Sequence, residues 1–311
     1  MVQNKRNVWI LGGTGYIGSA LVDHLSRDPE NQIYILLHQK APAGYLKKYN
    51  VFFGSLGDIN KEWFERYTPE VIFHLARPVP NTYIERLFRI NGGSRANRKL
   101  MNTLAGLTHK PVMVYVSGSS IYGKLDIDHP ALEDSPLSPY HFANHYIRNE
   151  NPWLEAQQYG KLDVRFARPG WIVGPDSWFL KFFWNHYLKT GKVPCYGNGK
   201  QLMSLIHIND CAAMIDALAR FGEIGKNLNI FAGPTVTHRE FCEILAGLLQ
   251  TSLDEIPYEK IKHRFGVTAA RALVSSTPMQ TLYPHVHSKA SLQFPDAASL
   301  LKDVVQQLKK E

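Results

Sequence analysis

Near the start of the chain, Gly12-Gly13-Thr14-Gly15-Tyr16-Ile17-Gly18 carries the spacing Gly13-x-Gly15-x-x-Gly18, and Gly12-x-x-Gly15-x-x-Gly18 overlays it. An unbroken apolar run, residues 7–11 (NVWIL), precedes these glycines. A helical pattern follows, with Ile17, Leu21 and Leu25 on one face. Between a strand and a helix each glycine has a task. One permits the tight turn, the next lets the backbone approach a pyrophosphate, and the last lets the helix pack closely on the sheet. Free N–H groups and the dipole at the helix N-terminus favour an anion there. The chemistry implied is the holding of a dinucleotide, with Gly12, Gly15, Tyr16, Ile17 and Gly18 around its phosphates.

An acid that bonds the adenosine ribose is expected about 20 residues further on. The second strand ends there with Leu37-His38-Gln39-Lys40, and no carboxylate is present. A carboxylate would repel a 2′-phosphate, whereas His38 and Lys40 tolerate or attract one. This favours NADP over NAD, with a solvent-facing Lys40 as the other reading. Arg77, after the fourth strand, could meet the cofactor, an anionic substrate or a surface acid. His74 sits inside a buried run and reads as a packed core histidine. Trp171, Trp178, Phe179, Phe182, Phe183 and Trp184 could form a lid over a substrate cleft, with core packing the expectation for most of them.

The elements that must position these residues alternate. Apolar runs at residues 32–38, 50–53, 70–76, 111–117 and 163–168 read as strands. Helical patterns fall at 61–67, 83–107 and 139–159, with Pro152 able to kink the last. Such alternation predicts an α/β fold with a doubly wound parallel sheet. After Gly170 the rhythm changes. A helix is expected at 178–188, a strand and helix at 205–208 and 210–220, a short strand at 228–231, and helices at 237–249 and 295–309. We therefore divide the chain into a dinucleotide-binding domain, 1–170, and a smaller substrate lobe, 171–311, interleaved with the first.

Composition excludes several classes. Hydrophobic residues make up 44% and charged residues 20% of the 311, the balance of a soluble globular protein. Basic residues exceed acidic ones by 35 to 27, but they are scattered, so no nucleic-acid footprint is expected. A modest positive field suits an anionic small ligand, and ordinary solvated surface is the alternative. Cys195, Cys211 and Cys242 give neither a disulfide framework nor a zinc spacing. Buried thiols in a reducing cytoplasm are expected, with no bound metal, no signal peptide and no membrane partner.

These residues and those that follow resemble the extended short-chain dehydrogenase/reductase family, the NAD-dependent epimerase/dehydratase group. The opening segment VWILGGTGYIG matches closely. Gly54-Ser55-Leu56-Gly57-Asp58 is similar to the segment after the third strand. Ser55 replaces the acid that usually contacts adenine, so of the segment's acids only Asp58 is retained. Residues 71–76 (VIFHLA) resemble the cofactor-lining fourth strand, with Leu75 and Ala76 at its end. Asn91 matches an Asn on the fourth helix. Residues 114–123 (VYVSGSSIYG) resemble the strand that carries the catalytic Ser or Thr, and Pro169 belongs to the motif after the sixth strand. The substrate-lobe signature is similar to Gly197-Asn198-Gly199 through His207-Ile208-Asn209-Asp210. The two long helices form a dimer interface in similar proteins, which implies a homodimer.

The resemblance breaks at the catalytic pair. The family uses Tyr-x-x-x-Lys on one helix face. Here Tyr140 is in place and the Lys position is Asn144. An amide can bond a ribose hydroxyl but carries no charge to stabilise a phenolate. Arg148, one turn on, could substitute or could make a surface contact. The serine position falls on Gly118, which leaves Ser119 or Ser117 to reach a carbonyl oxygen, or the segment to be a polar turn. The enzyme reading is an NAD(P)-dependent oxidoreductase, epimerase or dehydratase. It would act by hydride transfer on a hydroxyl or carbonyl of a small polar substrate, with nucleotide sugars among the candidates. A reductase can use Tyr140 in its neutral form, so reduction is the preferred direction. The other reading is a catalytically silent NAD(P)-binding sensor or scaffold.

Overall fold

The computed structural model describes residues 5–38, 40–76, 83–140 and 143–310, and for 83–91 and 145 the backbone only. In chain order the strands are Arg6–Leu11 (β1), Asn31–Leu37 (β2), Asn50–Phe53 (β3), Val71–His74 (β4), Val112–Val116 (β5), Val164–Pro169 (β6), Trp171–Val173 (β7), Val193–Tyr196 (β8), Leu202–His207 (β9), Leu228–Ile230 (β10), Ala232–Thr237 (β11) and Leu253–Ile256 (β12). The helices are Tyr16–Leu25 (α1), Tyr45–Lys48 (α2), Lys61–Arg66 (α3), Tyr83–Ala105 (α4), Asn144–Gln158 (α5), Asn185–Thr190 (α6), Ile208–Phe221 (α7), His238–Leu249 (α8), Tyr258–Leu273 (α9), Pro284–His287 (α10) and Ala297–Leu308 (α11).

Seven strands form one parallel sheet in the order β10-β6-β5-β4-β1-β2-β3, as the doubly wound reading requires. Both faces are covered, which is why the strands read as continuous apolar runs. Val8 and Ile10 pack into a core with α1 and α7, while Trp9 and Leu11 point into the opposite core with Phe64, Leu104 and Trp153. The strand order reverses between β1 and β4. Open α/β sheets bind ligands outside the carboxyl ends of the strands at such a reversal.

Residues from 171 onward add a three-stranded sheet, β11-β9-β7, and the parallel pair β12-β8. They also return β10 to the large sheet beside β6. An aromatic core of Phe179, Phe183, Trp184, Tyr196 and Phe241 lies among them. Sequence reading gave no sign of β11, β12 or α9. In β12 the apolar residues are few and interrupted by charges, Leu253-Asp254-Glu255-Ile256.

Two helices differ from expectation. The α-helix expected over 178–188 is instead a π-helical turn, Leu180–Trp184, running into α6. The helix expected from 139 starts at Asn144. The chain passes Tyr140 as loop, with the Ala143 N–H donating to the Tyr140 carbonyl at 2.6 Å. Pro152 does not end α5, which runs on to Gln158.

Candidate functional site

The turn after β1 has the geometry an anion site needs. Gly12 holds φ +95°, and a Cβ there would lie 2.7 Å from the Ala76 nitrogen. A Cβ on Gly18 would sit 2.0 Å from the Gly12 carbonyl oxygen, so α1 can pack on the turn only with glycine there. Gly15 is different. It precedes α1 with φ −74°, and a Cβ would meet only the Gly12 oxygen, at an ordinary 3.4 Å. The fold itself does not demand glycine at this position. What glycine leaves is open space before a helix whose first amides have no side-chain cap. The residues present therefore fit a dinucleotide pyrophosphate.

A cavity of about 810 Å³ opens there, at the carboxyl ends of β1, β2 and β4. Gly12, Gly15, His38, Leu75 and Ala76 line it. Leu36, Ser55 and Gly93, which sequence reading did not single out for the cofactor, line it too. Asp58 stands behind the wall. Its carboxylate accepts from the Ser55 N–H and hydroxyl, both at 2.7 Å, and these bonds hold it below the usual carboxylate range. Lys99 donates to the Gly57 carbonyl nearby. Lys40 is exposed just beyond His38. Ile17 packs into the core, and Tyr16 and Pro169 border a second cavity. Arg77 and the Asn91 side chain lie outside the described residues.

The second cavity, about 430 Å³, lies beyond the ends of β5 and β6. Ser119, Ser120, Tyr146, Trp171, Trp178 and Thr277 are on its wall. Thr277 Oγ1 and Trp178 Nε1 are buried without a protein partner. Burial pushes the Tyr16 phenol up, and its hydroxyl is buried without a protein partner. Phe179, Phe183 and Trp184 belong to the core instead, while Trp171 and Trp178 face the cavity.

The two serines separate. Ser119, in the short helical turn Ser119–Ile121, faces the cavity. Ser117 is buried and donates to Glu150 on α5. This bond ends a polar seam in which His74 Nε2 meets Asn97 Oδ1 at 2.8 Å and the Asn97 amide donates to the Asn149 carbonyl at 2.8 Å. His74 is the packed core histidine that the sequence suggested.

Tyr140 precedes α5 and borders a third cavity, about 490 Å³, with Lys124, Arg271 and Ser275, and Ser275 also borders the second. Burial pushes the Tyr140 phenol up. Asn144 is exposed at the first position of α5, and Arg148 is exposed one turn on. Tyr140 and Asn144 therefore do not share a helix face. Sequence reading missed Tyr146 and Glu150, whose i,i+4 spacing was the available signal.

Cys195, His238 and Cys242 bring possible ligand atoms within 4.8 Å of one another. His238 Nε2, however, accepts from the Tyr196 N–H at 3.0 Å. Its proton is then on Nδ1, and the neutral ring has no lone pair left for a metal. Burial holds this imidazole neutral, down to about 4.

A sequence profile of the NAD dependent epimerase/dehydratase family matches residues 8–230. The chain belongs to this family. Among its relatives, the dTDP-D-glucose 4,6-dehydratase of Dictyostelium discoideum is 25% identical over 252 residues, covering 72% of this chain and 58% of that one. The epimerase family protein YfhF of Bacillus subtilis is 25% identical over 262 residues, 77% of this chain and 78% of that one. The human epimerase family protein SDR39U1, crystallised with NADPH, superposes with a TM-score of 0.76 at 17% identity, over 96% of this chain and 99% of that one. The family membership agrees with the fold and the enzyme reading, and none of these relatives supports the silent sensor. Among the described residues no helix is long and apolar enough to cross a membrane.

Proposed function

We propose that this epimerase/dehydratase-family protein is an NAD(P)-dependent enzyme that moves hydride to or from a small polar substrate, with nucleotide sugars the first class to try. The observation that carries the reading is Gly15, a glycine that packing does not require, facing open space at an uncapped helix start. The bound dinucleotide would supply the hydride. The Gly12–Gly15 turn would hold its phosphates, and Leu75 and Ala76 would flank it. His38 and Lys40 would meet a 2′-phosphate, which supports NADP over NAD. Ser119 would polarise the substrate oxygen, while Ser117 would anchor α5. Asn144 would reach a ribose hydroxyl.

The lobe from 171 onward would close over the substrate through Trp171 and Trp178. A cytoplasmic homodimer through α4 and α5 completes the proposal. Arg98 on α4 pairs with Glu155 on α5 at 2.8 Å on that face. The test is isotope transfer from labelled NADPH to a panel of keto-sugar nucleotides, ketones and aldehydes, and from ring-deuterated UDP- and dTDP-sugars to oxidised NAD and NADP. Label in a product is expected. Tight dinucleotide binding with no transfer across the panel would favour the silent sensor.

A further inference from the structure

Two phenols, Tyr16 and Tyr146, border the cavity of Ser119, Tyr140 borders the cavity next to it, and Tyr122, which ends the serine turn, is bonded to Asn229 and Arg168. Tyr140 lies on the loop before α5 and opens onto the cavity of Lys124 and Arg271. Tyr16 is packed so closely that a Cβ on Gly174 would come within 2.2 Å of its oxygen, and burial keeps its proton on. Tyr146, the third residue of α5, borders the same cavity as Ser119.

The register of α5 accounts for that placement. Glu150 lies four residues after Tyr146 on the same face and holds Ser117. One turn towards the helix start, Tyr146 therefore faces the chain just beyond Ser117, which is the Ser119 turn. Long helical side chains lean back towards the helix start. There the unpaired amides carry partial positive charge. Thr277 is 4% exposed, and its hydroxyl, without a protein partner on the wall of this cavity, marks a place built for a polar ligand.

We infer that Tyr146, rather than Tyr140, is the catalytic phenol, exchanging a proton with the substrate oxygen that Ser119 polarises. The inference rests on the hydride-transfer reading above. In the reducing direction the substrate carbonyl carbon gains a hydride from the reduced dinucleotide, which is thereby oxidised. The carbonyl electron pair moves to oxygen, and that oxygen takes the phenolic hydrogen as the Tyr146 O–H bond breaks. Water returns a proton to the phenolate. The amide end of α5 favours the negative charge left on the phenol, a task that uncharged Asn144 cannot perform.

The test compares Tyr146→Phe, Tyr140→Phe and Tyr16→Phe in the full chain. Deuteride transfer from NADPH labelled on its nicotinamide to phenanthrenequinone and to UDP- and dTDP-4-keto-hexoses, which carry the carbonyl that the step needs, is read by mass spectrometry. Calorimetry gives the NADPH affinity. Tyr146→Phe is expected to lower transfer at least about a hundredfold while NADPH affinity stays within about threefold, and Tyr140→Phe to cost less than about tenfold. Tyr146→His, which keeps a ring and a proton donor, should recover part of the loss. In a second readout, NADP with phenanthrenequinone should shield Tyr146 from nitration by tetranitromethane more than it shields Tyr140. A hundredfold loss, or roughly that, in Tyr140→Phe or Tyr16→Phe with Tyr146→Phe near the parent would overturn the assignment. If the unsubstituted chain binds NADPH but transfers no deuteride, the hydride reading fails and takes this inference with it. That failure shows before any substitution is made.

Discussion

Ser117, just past the end of β5, donates its hydroxyl hydrogen to the carboxylate of Glu150 near the middle of α5, and both side chains are buried. The bond ties the helix that carries Tyr146 to the strand that leads into Ser119. Removing Glu150 takes away the acceptor of a buried hydroxyl, which costs more than the bond itself contributes. Glu150→Ala should lower unfolding free energy by about 2–4 kcal/mol, and Glu150→Gln, which can still accept the bond, by about 1 kcal/mol. Urea unfolding followed by circular dichroism measures both. Equal stability of Glu150→Ala and the parent would refute a structural role for the pair.

The glycine turn gives a split prediction. Gly18→Ala forces a Cβ to within 2.0 Å of the Gly12 oxygen, so the turn and α1 must move apart. Its unfolding midpoint should drop well below that of the parent. Gly15→Ala meets nothing closer than 3.4 Å and should fold normally. Its cost should fall on dinucleotide affinity, by about tenfold or more, because the added methyl occupies the approach to the phosphates. Thermal melts with and without NADPH separate the two effects.

Acid stability should report on Asp216. Burial alone would push its carboxyl up, but the hydrogen bond from His24 and the charges of Arg6 and Arg220 outweigh it and hold the group at about 2. Arg6 Nη1 lies 3.0 Å and Arg220 Nε 2.9 Å from its oxygens. A carboxyl whose folded value lies below its unfolded value stabilises the fold above the unfolded value. That contribution is lost as pH falls through the folded one. The window runs from about pH 4 to about pH 2 and is worth on the order of 2 kcal/mol. Urea midpoints across that window should fall less steeply in Asp216→Asn than in the parent.

Cofactor preference should follow the end of β2. His38 lines the dinucleotide cavity, and the exposed Lys40 stands just beyond it. Lys40→Asp should weaken NADPH binding by about tenfold or more and leave NADH nearly untouched, since only NADPH carries the extra phosphate. Fluorescence titration with each reduced dinucleotide decides this. An equal change for both would remove Lys40 from the phosphate contact.

The large sheet and its glycine turn were legible because local sequence determines them. NVWIL, a continuous apolar run ending at glycines and a helical pattern, reads as a strand buried on both faces, and Gly18 answers a contact inside the same β-α unit, the Gly12 oxygen. The catalytic region was less legible, because its geometry depends on where a helix begins. Counting from Tyr140 assumes that the helix already includes it, whereas α5 starts later, at Asn144. That delay leaves Tyr140 in a loop and brings Tyr146 to the cavity of Ser119. Glu150 was invisible for a related reason. Its partner Ser117 is 33 residues away, and only the packing of α5 against β5 joins them.

Isothermal titration of the full chain with NADPH, NADH and their oxidised forms tests the central claim most directly. Micromolar or tighter heat of binding is expected for at least one of the four, tightest for NADPH, and weakened in a Gly15→Ala chain that still folds. No heat from any of them, with the chain shown to be folded, would contradict the assignment of the glycine turn and everything built on it.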